Sequence, residues 1–326
     1  MPDKSSYSPA NVGMSVAGGI ASALVFAVLS KGAFAGFLLA HFAPLPLMIV
    51  ALGLGVGHGA TAAIVATLFL SVWPHWLFGM AYGLLVALPA WLSCWVLAGA
   101  PFGRRDRLVP GLPGWAVAAL CLSIVGAILF FLGVTQLSHG RIEEPLAYIQ
   151  QQFDLALAAM KADDKLGDDL NTEDLKGFAR MFLPATLASY LVMTQALDLW
   201  IAGRLTQFSG MLKQPWPDIA ASFALPRPLA GLFLAAAALS MIGGVGGAAA
   251  LAVAAPLGLA FGLQGLAVTH YWLRGSRSSL LVLTILYFCL GLLGAPMILF
   301  SLLGTADVFL RLRQKKSVGP KPNEAV

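Results

Sequence analysis

Four polar residues lie inside long apolar stretches of this chain, and they are its candidates for chemistry: His41, Gln195, Asp198 and Gln264. An imidazole, an amide or a carboxylate is costly in apolar surroundings, so each such residue suggests a function by default. Their oxygens and ring nitrogens could bind a polar solute or an ion. Because no acid and base are placed to act together, we predict a substrate-binding set with no catalytic residues.

Asp198 is the clearest of these candidates. In a helix, Thr194, Gln195 and Asp198 fall at positions i, i+1 and i+4, so they form one polar stripe that must face a protein interior. Two interpretations stay open. The stripe is a substrate or ion site, or Asp198 lies near enough to the cytoplasmic interface to snorkel there or to pair with Arg204, about 9 Å further along the helix axis.

Two other ionisable positions invite similar reasoning. His41 lies close to Pro44 and Pro46, which interrupt the backbone hydrogen bonds of a helix and can expose carbonyls to a cavity. The alternative is a kink that neighbouring helices satisfy. Asp307 precedes Arg313 by six residues, and this spacing favours a local ion pair over a binding site.

The stretch "FGLQGLAVTHYWLRG", residues 261–275, combines a packing surface with one deep polar residue. Gly258, Gly262, Gly265 and Thr269 share one side of a helix, a pattern of small residues that lets membrane helices approach closely. Gln264 either hydrogen-bonds a neighbouring helix or faces a ligand.

Composition decides what kind of protein positions these residues. The chain has 326 residues, of which 59% are hydrophobic and only 11% charged, and its mean hydropathy is +0.82. Apolar runs of about 20 residues match the thickness of a bilayer. We predict an all-α, polytopic transmembrane helical bundle whose first partner is the lipid bilayer.

The apolar runs give a count of eight to nine spans. The last run is too long for one straight crossing, so it is either kinked or a hairpin at residues 294–296. The runs lie at 11–30, 34–54, 59–73, 75–99, 114–136, 182–202, 229–242 and 248–272, with one or two more within 279–310. These are nine or ten runs, and the count of eight to nine takes one of them not to be a separate span.

Charge divides the chain into regions and orients it. Residues 137–180 hold nine acidic and five basic residues, a net charge of −4, and their apolar positions follow helical spacing. We predict four regions: a five-helix membrane region 1–136, an acidic extracytoplasmic amphipathic insert 137–180, a second membrane region 181–313 and a disordered basic tail 314–326. The excess of Lys and Arg in the other loops places the N-terminus in the cytoplasm of a multi-pass inner (plasma) membrane protein.

Motifs for soluble chemistry are missing from the sequence. It contains no Walker loop, no HExxH and no CxxC, and its three cysteines lie within apolar runs. We therefore predict no cofactor, no metal site and no nucleic-acid partner, and an enzyme is the least favoured class.

A succession of weak motifs brings a family resemblance. The segments "HFAPLPLMIVALGLGVGHGATAAIVATLFL", "ALDLWIAGRL", "FALPRPLAGLFLAAA", "FGLQGLAVTHYWLR" and "LLGTADVFLRLR" occur in order along the chain. Together they resemble the YybS-like family of predicted bacterial membrane proteins, a domain of unknown function. That family is distantly similar to the substrate-binding subunits of energy-coupling-factor vitamin transporters. The resemblance implies an inner-membrane protein of about eight helices and favours small-molecule binding.

Two functions from different classes remain open. In the first, the chain is a transport-related membrane protein that binds a small molecule between helices, at His41, Gln195, Asp198 and Gln264. In the second, it is a scaffold for envelope or division proteins, and its acidic segment and loops contact a membrane-protein partner. A cavity that touches Asp198 and Gln264 would favour the first function, and a solidly packed bundle would favour the second.

Overall fold

The computed structural model describes residues 8–31, 34–99, 112–137, 172–212, 215–294 and 296–317, and all regular structure in these ranges is helical. The predicted insert 137–180 and tail 314–326 lie mostly outside the described residues. The α-helices are α1 Pro9–Ala27, α2 Phe34–Ala40, α3 Pro44–Gly53, α4 Val56–Val72, α5 Trp76–Tyr82, α6 Leu88–Leu97, α7 Leu112–Leu137, α8 Thr172–Phe208, α9 Ile219–Ser222, α10 Arg227–Ser240, α11 Gly244–Leu273, α12 Ser279–Leu293, α13 Pro296–Leu310 and α14 Leu312–Ser317.

Five helices are long and apolar enough to cross a membrane, or up to six if the bent pair α12 and α13 is one span. Three of the predicted spans are shorter apolar helices of 10–17 residues, at Leu38–Gly53, Val56–Val72 and Arg227–Ser240. The count of eight to nine therefore stays a prediction. These three helices are apolar but shorter than the about 20 residues that a straight crossing of the membrane needs.

The segment around His41 folds differently from its prediction. Residues 41–43 form a turn, and α3 begins after it with Pro44 at its first position. Proline suits the first turn of a helix because its missing N–H would have no partner there in any case. The predicted helix 34–54 is therefore interrupted, and the interruption is the turn at 41–43, directly before the two prolines.

A π-helical segment, Gly83–Ala87, joins α5 to α6 within one continuous helix, Trp76–Leu97. Its wider turn shifts the backbone hydrogen bonds by one residue, a distortion that is frequent at functional sites. This segment faces the buried side of α8, as described below.

Helix α8 packs against α3, α7 and α11 and is longer than predicted. The short helix expected at about residue 172 and the span expected at 182–202 are one helix of 37 residues with Pro184 inside it. Buried apolar side chains of α8 join two packed clusters. One includes Val192 together with Ile124 of α7 and Phe261 of α11, and the other includes Leu199 together with Met48 of α3.

Helices α11 and α13 pack closely and run parallel. The Ser301 hydroxyl donates to the Gly258 carbonyl at 2.6 Å, and six residues later in both helices Gln264 meets Asp307. The matching intervals define the parallel direction. In the chain, α12 connects α11 to α13, and the chain bends by 118° between α12 and α13. The C-terminal ends of α11 and α13 therefore lie at the same end of the bundle, as the predicted hairpin at residues 294–296 requires.

Candidate functional site

Two polar residues of α8 are buried without full hydrogen bonding, and we call them the α8 cluster: Gln195 and Asp198. Gln195 is 1% exposed and Asp198 is 2% exposed. The Gln195 Oε1 and Asp198 Oδ2 atoms have no hydrogen-bond partner. Since buried polar atoms are nearly always paired, two unpaired oxygens within one helical turn are an exception that calls for an explanation.

The π-helical segment holds one end of the α8 cluster. Gln195 donates from Nε2 to the carbonyl oxygen of Leu85 at 2.7 Å, and Leu85 lies in the middle of the π-helical turn. This bond fixes which way the amide points. Its free oxygen, Oε1, is thereby held on the buried face of α8 as an acceptor.

Arg204 does not neutralise Asp198. The Arg204 side chain is exposed, donates to Gln207 Oε1 at 3.4 Å and lies over the Trp200 ring at 6.0 Å. Within the described part of the chain, no ion pair joins Asp198 to a basic residue. The alternative in which Asp198 pairs locally with Arg204 is therefore wrong.

His41 also contacts α8, at a different point. Its imidazole hydrogen-bonds the hydroxyl of Tyr190, and the two rings meet edge to face with centroids 4.9 Å apart. Both side chains are half-buried. Tyr190 lies eight residues before Asp198, about 12 Å along the helix. His41 thus shares a helix with the α8 cluster, but no described hydrogen bond joins the two.

A second buried group, which we call the Arg313 cluster, consists of Gln264, Asp307 and Arg313. Gln264 donates from Nε2 to Asp307 Oδ2 at 2.9 Å, and Arg313 pairs with the same oxygen at 2.7 Å. Gln264 Oε1 accepts the backbone N–H of Leu225 at 2.8 Å. The predicted pairing of Asp307 with Arg313 is confirmed, and Gln264 bonds neighbouring elements, the first of its two alternatives.

Arg313 also ends the short helix α9. Its guanidinium donates to the carbonyls of Ala220 at 3.1 Å, Ala221 at 3.2 Å and Phe223 at 2.7 Å. Basic side chains commonly satisfy the free carbonyls at a helix C-terminus. One arginine therefore joins the end of α13 to the segment between α8 and α10, a contact 90 residues or more distant in sequence.

The structure divides the predicted substrate-binding residues into three locations. Gln195 and Asp198 lie together, His41 lies along the same helix, and Gln264 belongs to the Arg313 cluster on α11. Their common role in binding a substrate stays a prediction. The backbone groups of Leu85 and Leu225, which are the partners of the two glutamines, could not be predicted, because every residue type carries the same backbone groups.

A cavity of about 510 Å³ lies beside the Arg313 cluster. It reaches Gln264 and Asp307, but neither residue of the α8 cluster is among its lining residues. A cavity that touches both Asp198 and Gln264 would favour the first function, and this cavity touches only Gln264. Its lining consists of Ala221, Ser222, Ala224, Leu225, Arg227, Gln264, Asp307, Val308, Arg311, Arg313 and Gln314.

The predicted packing residues lie where α11 meets other helices. A side chain at Gly262 would collide with Met297, and one at Gly265 with the backbone of Phe300. Gly258 faces the ring of Phe233 in α10, and the Thr269 hydroxyl donates to its own helix at Gly265. The absence of side chains at these glycines is what allows α13 to approach α11 closely enough for Gln264 to reach Asp307.

An exposed ion pair lies near the same end of the bundle. Arg274, just after α11, donates to both oxygens of Asp218 at 2.6 and 2.5 Å. Both side chains are about half exposed. The hydrogen bonds from Arg274 hold the pKa of Asp218 below its usual value.

A metal centre is not evident in the residues that the structure describes. Among them, no group of three or more His, Cys, Asp and Glu side chains is placed to hold an ion. The three cysteines are unpaired.

Comparison with known proteins identifies a family. The sequence pattern of the family described as predicted membrane protein (DUF2232) matches residues 19–308. No curated protein and no solved structure matches the chain. Because the match covers most of the sequence, the chain belongs to this family of predicted membrane proteins, whose function is unknown.

Proposed function

We propose that this member of a membrane-protein family binds a small positively charged solute inside the membrane and serves in its transport, with Gln195 and Asp198 as the binding residues. The observation that carries the proposal is the pair of buried, unpartnered oxygens on one face of α8. A carboxylate inside a membrane bundle usually marks a substrate, ion or proton pathway.

The chemistry of the free atoms indicates the kind of ligand. Both unpaired atoms of the α8 cluster, Gln195 Oε1 and Asp198 Oδ2, are acceptors. They complement a ligand that donates hydrogen bonds or carries positive charge, such as a metal cation, ammonium or a primary amine. The nearly complete enclosure of both side chains favours a small ligand over one of vitamin size.

The energetics also favour a missing partner. A buried polar atom without a hydrogen bond costs about 1–3 kcal/mol, and an unpaired carboxylate costs more. A cation that binds only the folded state would offset that cost and stabilise the protein in proportion to the logarithm of its concentration. The site would then be destabilising without its ligand and stabilising with it.

The proposal includes a location and an orientation. We infer a bacterial inner membrane with the N-terminus in the cytoplasm, from the positive residues in the loops. In this orientation the parallel helices α11 and α13 both end on the cytoplasmic side, with Arg274 and Arg313. The predicted eight to nine spans, and the resemblance to the YybS-like family and to vitamin-transporter subunits, agree with a transport-related role and remain part of the proposal.

Thermal unfolding of the purified full-length protein in detergent tests the ligand. The chloride salts of lithium, sodium, potassium, ammonium and methylammonium are compared at constant ionic strength. N-methylglucamine replaces them as a cation too bulky for an enclosed site. We expect at least one small cation to raise the melting temperature saturably. If all five behave as N-methylglucamine does, the proposal is wrong.

Matched variants of one helix locate the effect. Asp198→Asn and Gln195→Leu are expected to abolish the cation-dependent rise. Thr194→Val serves as the control, because the Thr194 hydroxyl donates only to the carbonyls of its own helix, at Tyr190 and Leu191. A response that persists in Asp198→Asn would place the cation elsewhere and contradict the assignment.

A further inference from the structure

The cavity beside the Arg313 cluster carries more positive charge than its own residues neutralise. Three arginines line it, Arg227, Arg311 and Arg313, against one acidic residue, Asp307. Arg313 pairs with Asp307. In the described ranges no ion pair engages Arg227 or Arg311, and both side chains are exposed. The cavity rim therefore holds two uncompensated guanidinium groups.

An unusual backbone turn brings two of these arginines to one cavity. In a continuous helix Arg311 and Arg313 would lie on nearly opposite sides, because each residue advances about 100° around the axis. Arg311 has φ of +49°, the left-handed conformation, and is the one non-glycine residue with positive φ in the described part of the chain. Such a conformation costs about 1 kcal/mol or more and is enriched at ligand sites.

The surrounding structure holds this turn in place. The Arg311 N–H donates to the Asp307 carbonyl at 2.9 Å, and α14 begins at the next residue. Two residues on, Arg313 is fixed by Asp307 and by three backbone carbonyls. The Arg313 cluster therefore holds the residues on both sides of the turn, and Arg311 lines the same cavity as Arg227.

We propose that this cavity binds a phosphate group, with Arg227 and Arg311 as its ligands above the buried Asp307–Arg313 pair. Guanidinium groups match phosphate oxygens in charge and geometry, and they form two parallel hydrogen bonds with them. Ser222, whose hydroxyl donates to the Asp218 carbonyl at 2.6 Å, and Gln314 also line the cavity. This site is separate from the proposed cation site and does not depend on it.

The phosphate could come from an anionic lipid headgroup or from a soluble phosphorylated compound. The cavity lies at the end of the bundle where Trp272 and Tyr271 end α11, a position typical of the lipid headgroup region. Both sources share the chemistry on which the proposal depends. The experiment therefore has one arm for each.

In the lipid arm, phosphatidylglycerol or phosphatidylcholine is added to the detergent-purified full-length protein, and the melting temperature is measured. In the second arm, inorganic phosphate is titrated against chloride at equal ionic strength. A higher melting temperature with phosphatidylglycerol, but not with phosphatidylcholine or inorganic phosphate, assigns the site to lipid. A higher melting temperature with inorganic phosphate assigns it to a soluble ligand. If neither differs from its control, the proposal is overturned.

The arginines are tested with a double variant, Arg227→Gln with Arg311→Asn. Asparagine tolerates positive φ, so it preserves the turn. We expect the apparent affinity for the stabilising ligand to fall about tenfold or more. The control is Arg277→Gln, an exposed arginine that is not among the lining residues of the cavity. Equal loss in the control, or no loss in the double variant, contradicts the proposal.

Discussion

The α8 cluster and the Arg313 cluster consist of similar residues in opposite states. Each combines a glutamine with an aspartate, and all four side chains are at most 5% exposed. In the Arg313 cluster both amide atoms of Gln264 are hydrogen-bonded and Asp307 has an arginine. In the α8 cluster one oxygen of each side chain has no partner. Burial alone therefore does not distinguish the two clusters, and hydrogen bonding does.

The largest expected effect comes from breaking the paired cluster. Asp307→Asn removes the charge that compensates Arg313, and loss of one partner of a buried ion pair typically costs about 3–5 kcal/mol. We expect a clear fall in the free energy of unfolding, measured by chemical denaturation in detergent.

A double variant provides the control for this prediction. Arg313→Gln alone removes the positive charge and the bonds of Arg313 to three backbone carbonyls, so it is the reference for the double variant Asp307→Asn with Arg313→Gln. We expect Asp307→Asn to cost less stability on the Arg313→Gln background than in the unmodified protein. If the free energy of unfolding of Asp307→Asn is within about 1 kcal/mol of that of the unmodified protein, the Arg313 cluster is not the structural element that its geometry indicates.

Replacing each glutamine by leucine tests the same comparison, with a smaller expected change in stability. Gln264→Leu leaves the buried N–H of Leu225 without an acceptor, so we expect a loss of about 1–3 kcal/mol. Gln195→Leu removes only a donor to the Leu85 carbonyl, and it also eliminates an unpaired oxygen. Under-satisfied carbonyls are tolerated better than orphaned N–H groups.

We therefore expect Gln195→Leu to lose less stability than Gln264→Leu under the same denaturation conditions. The same substitution at two buried positions makes each variant the control for the other. Equal losses would mean that both amides are structural.

The smallest expected loss of stability comes from breaking the exposed ion pair of Asp218 with Arg274. It measures what such a pair contributes in water. Because the pKa of Asp218 is lowered in the folded state, the pair stabilises the protein above the unfolded pKa of about 4. That contribution is lost as the pH falls through the folded pKa. Solvent screening limits it to about 1 kcal/mol or less.

A pH series of melting temperatures checks this contribution. Between pH 7 and pH 5 we expect the difference between the unmodified protein and Asp218→Asn to stay constant. Below about pH 4 the difference should shrink. A difference that grows on acidification would contradict the sign of the pKa change.

The sequence predicted the class of the protein and the local contacts more completely than the long-range ones. Apolar runs gave an all-helical membrane protein, and a six-residue spacing gave the ion pair of Asp307 with Arg313. These signals are local. The partners of Gln195 and Gln264 are backbone atoms 110 and 39 residues away, and nothing in the residue types near either glutamine specifies them.

The ends of some helices were also predicted incompletely, for a related reason. Pro44 and Pro46 were predicted to interrupt a helix, and the interruption is a turn at 41–43, after which Pro44 begins α3. The exact position of the turn was not predicted, because proline is compatible with the first turn of a helix and the sequence alone does not locate that turn. The length of α8 was also underestimated, since charged residues at 172–180 can extend a membrane helix beyond the bilayer without changing its period.

The most direct test of the difference between the two clusters is the sign of the stability change in Asp198→Asn, measured beside Asp307→Asn in the same detergent without added small cations. Removing an uncompensated buried charge should leave stability unchanged or raise it by about 1 kcal/mol. Asp307→Asn should lower it. If Asp198→Asn is destabilised to the same extent as Asp307→Asn, Asp198 has a structural partner and the α8 cluster is not a binding site.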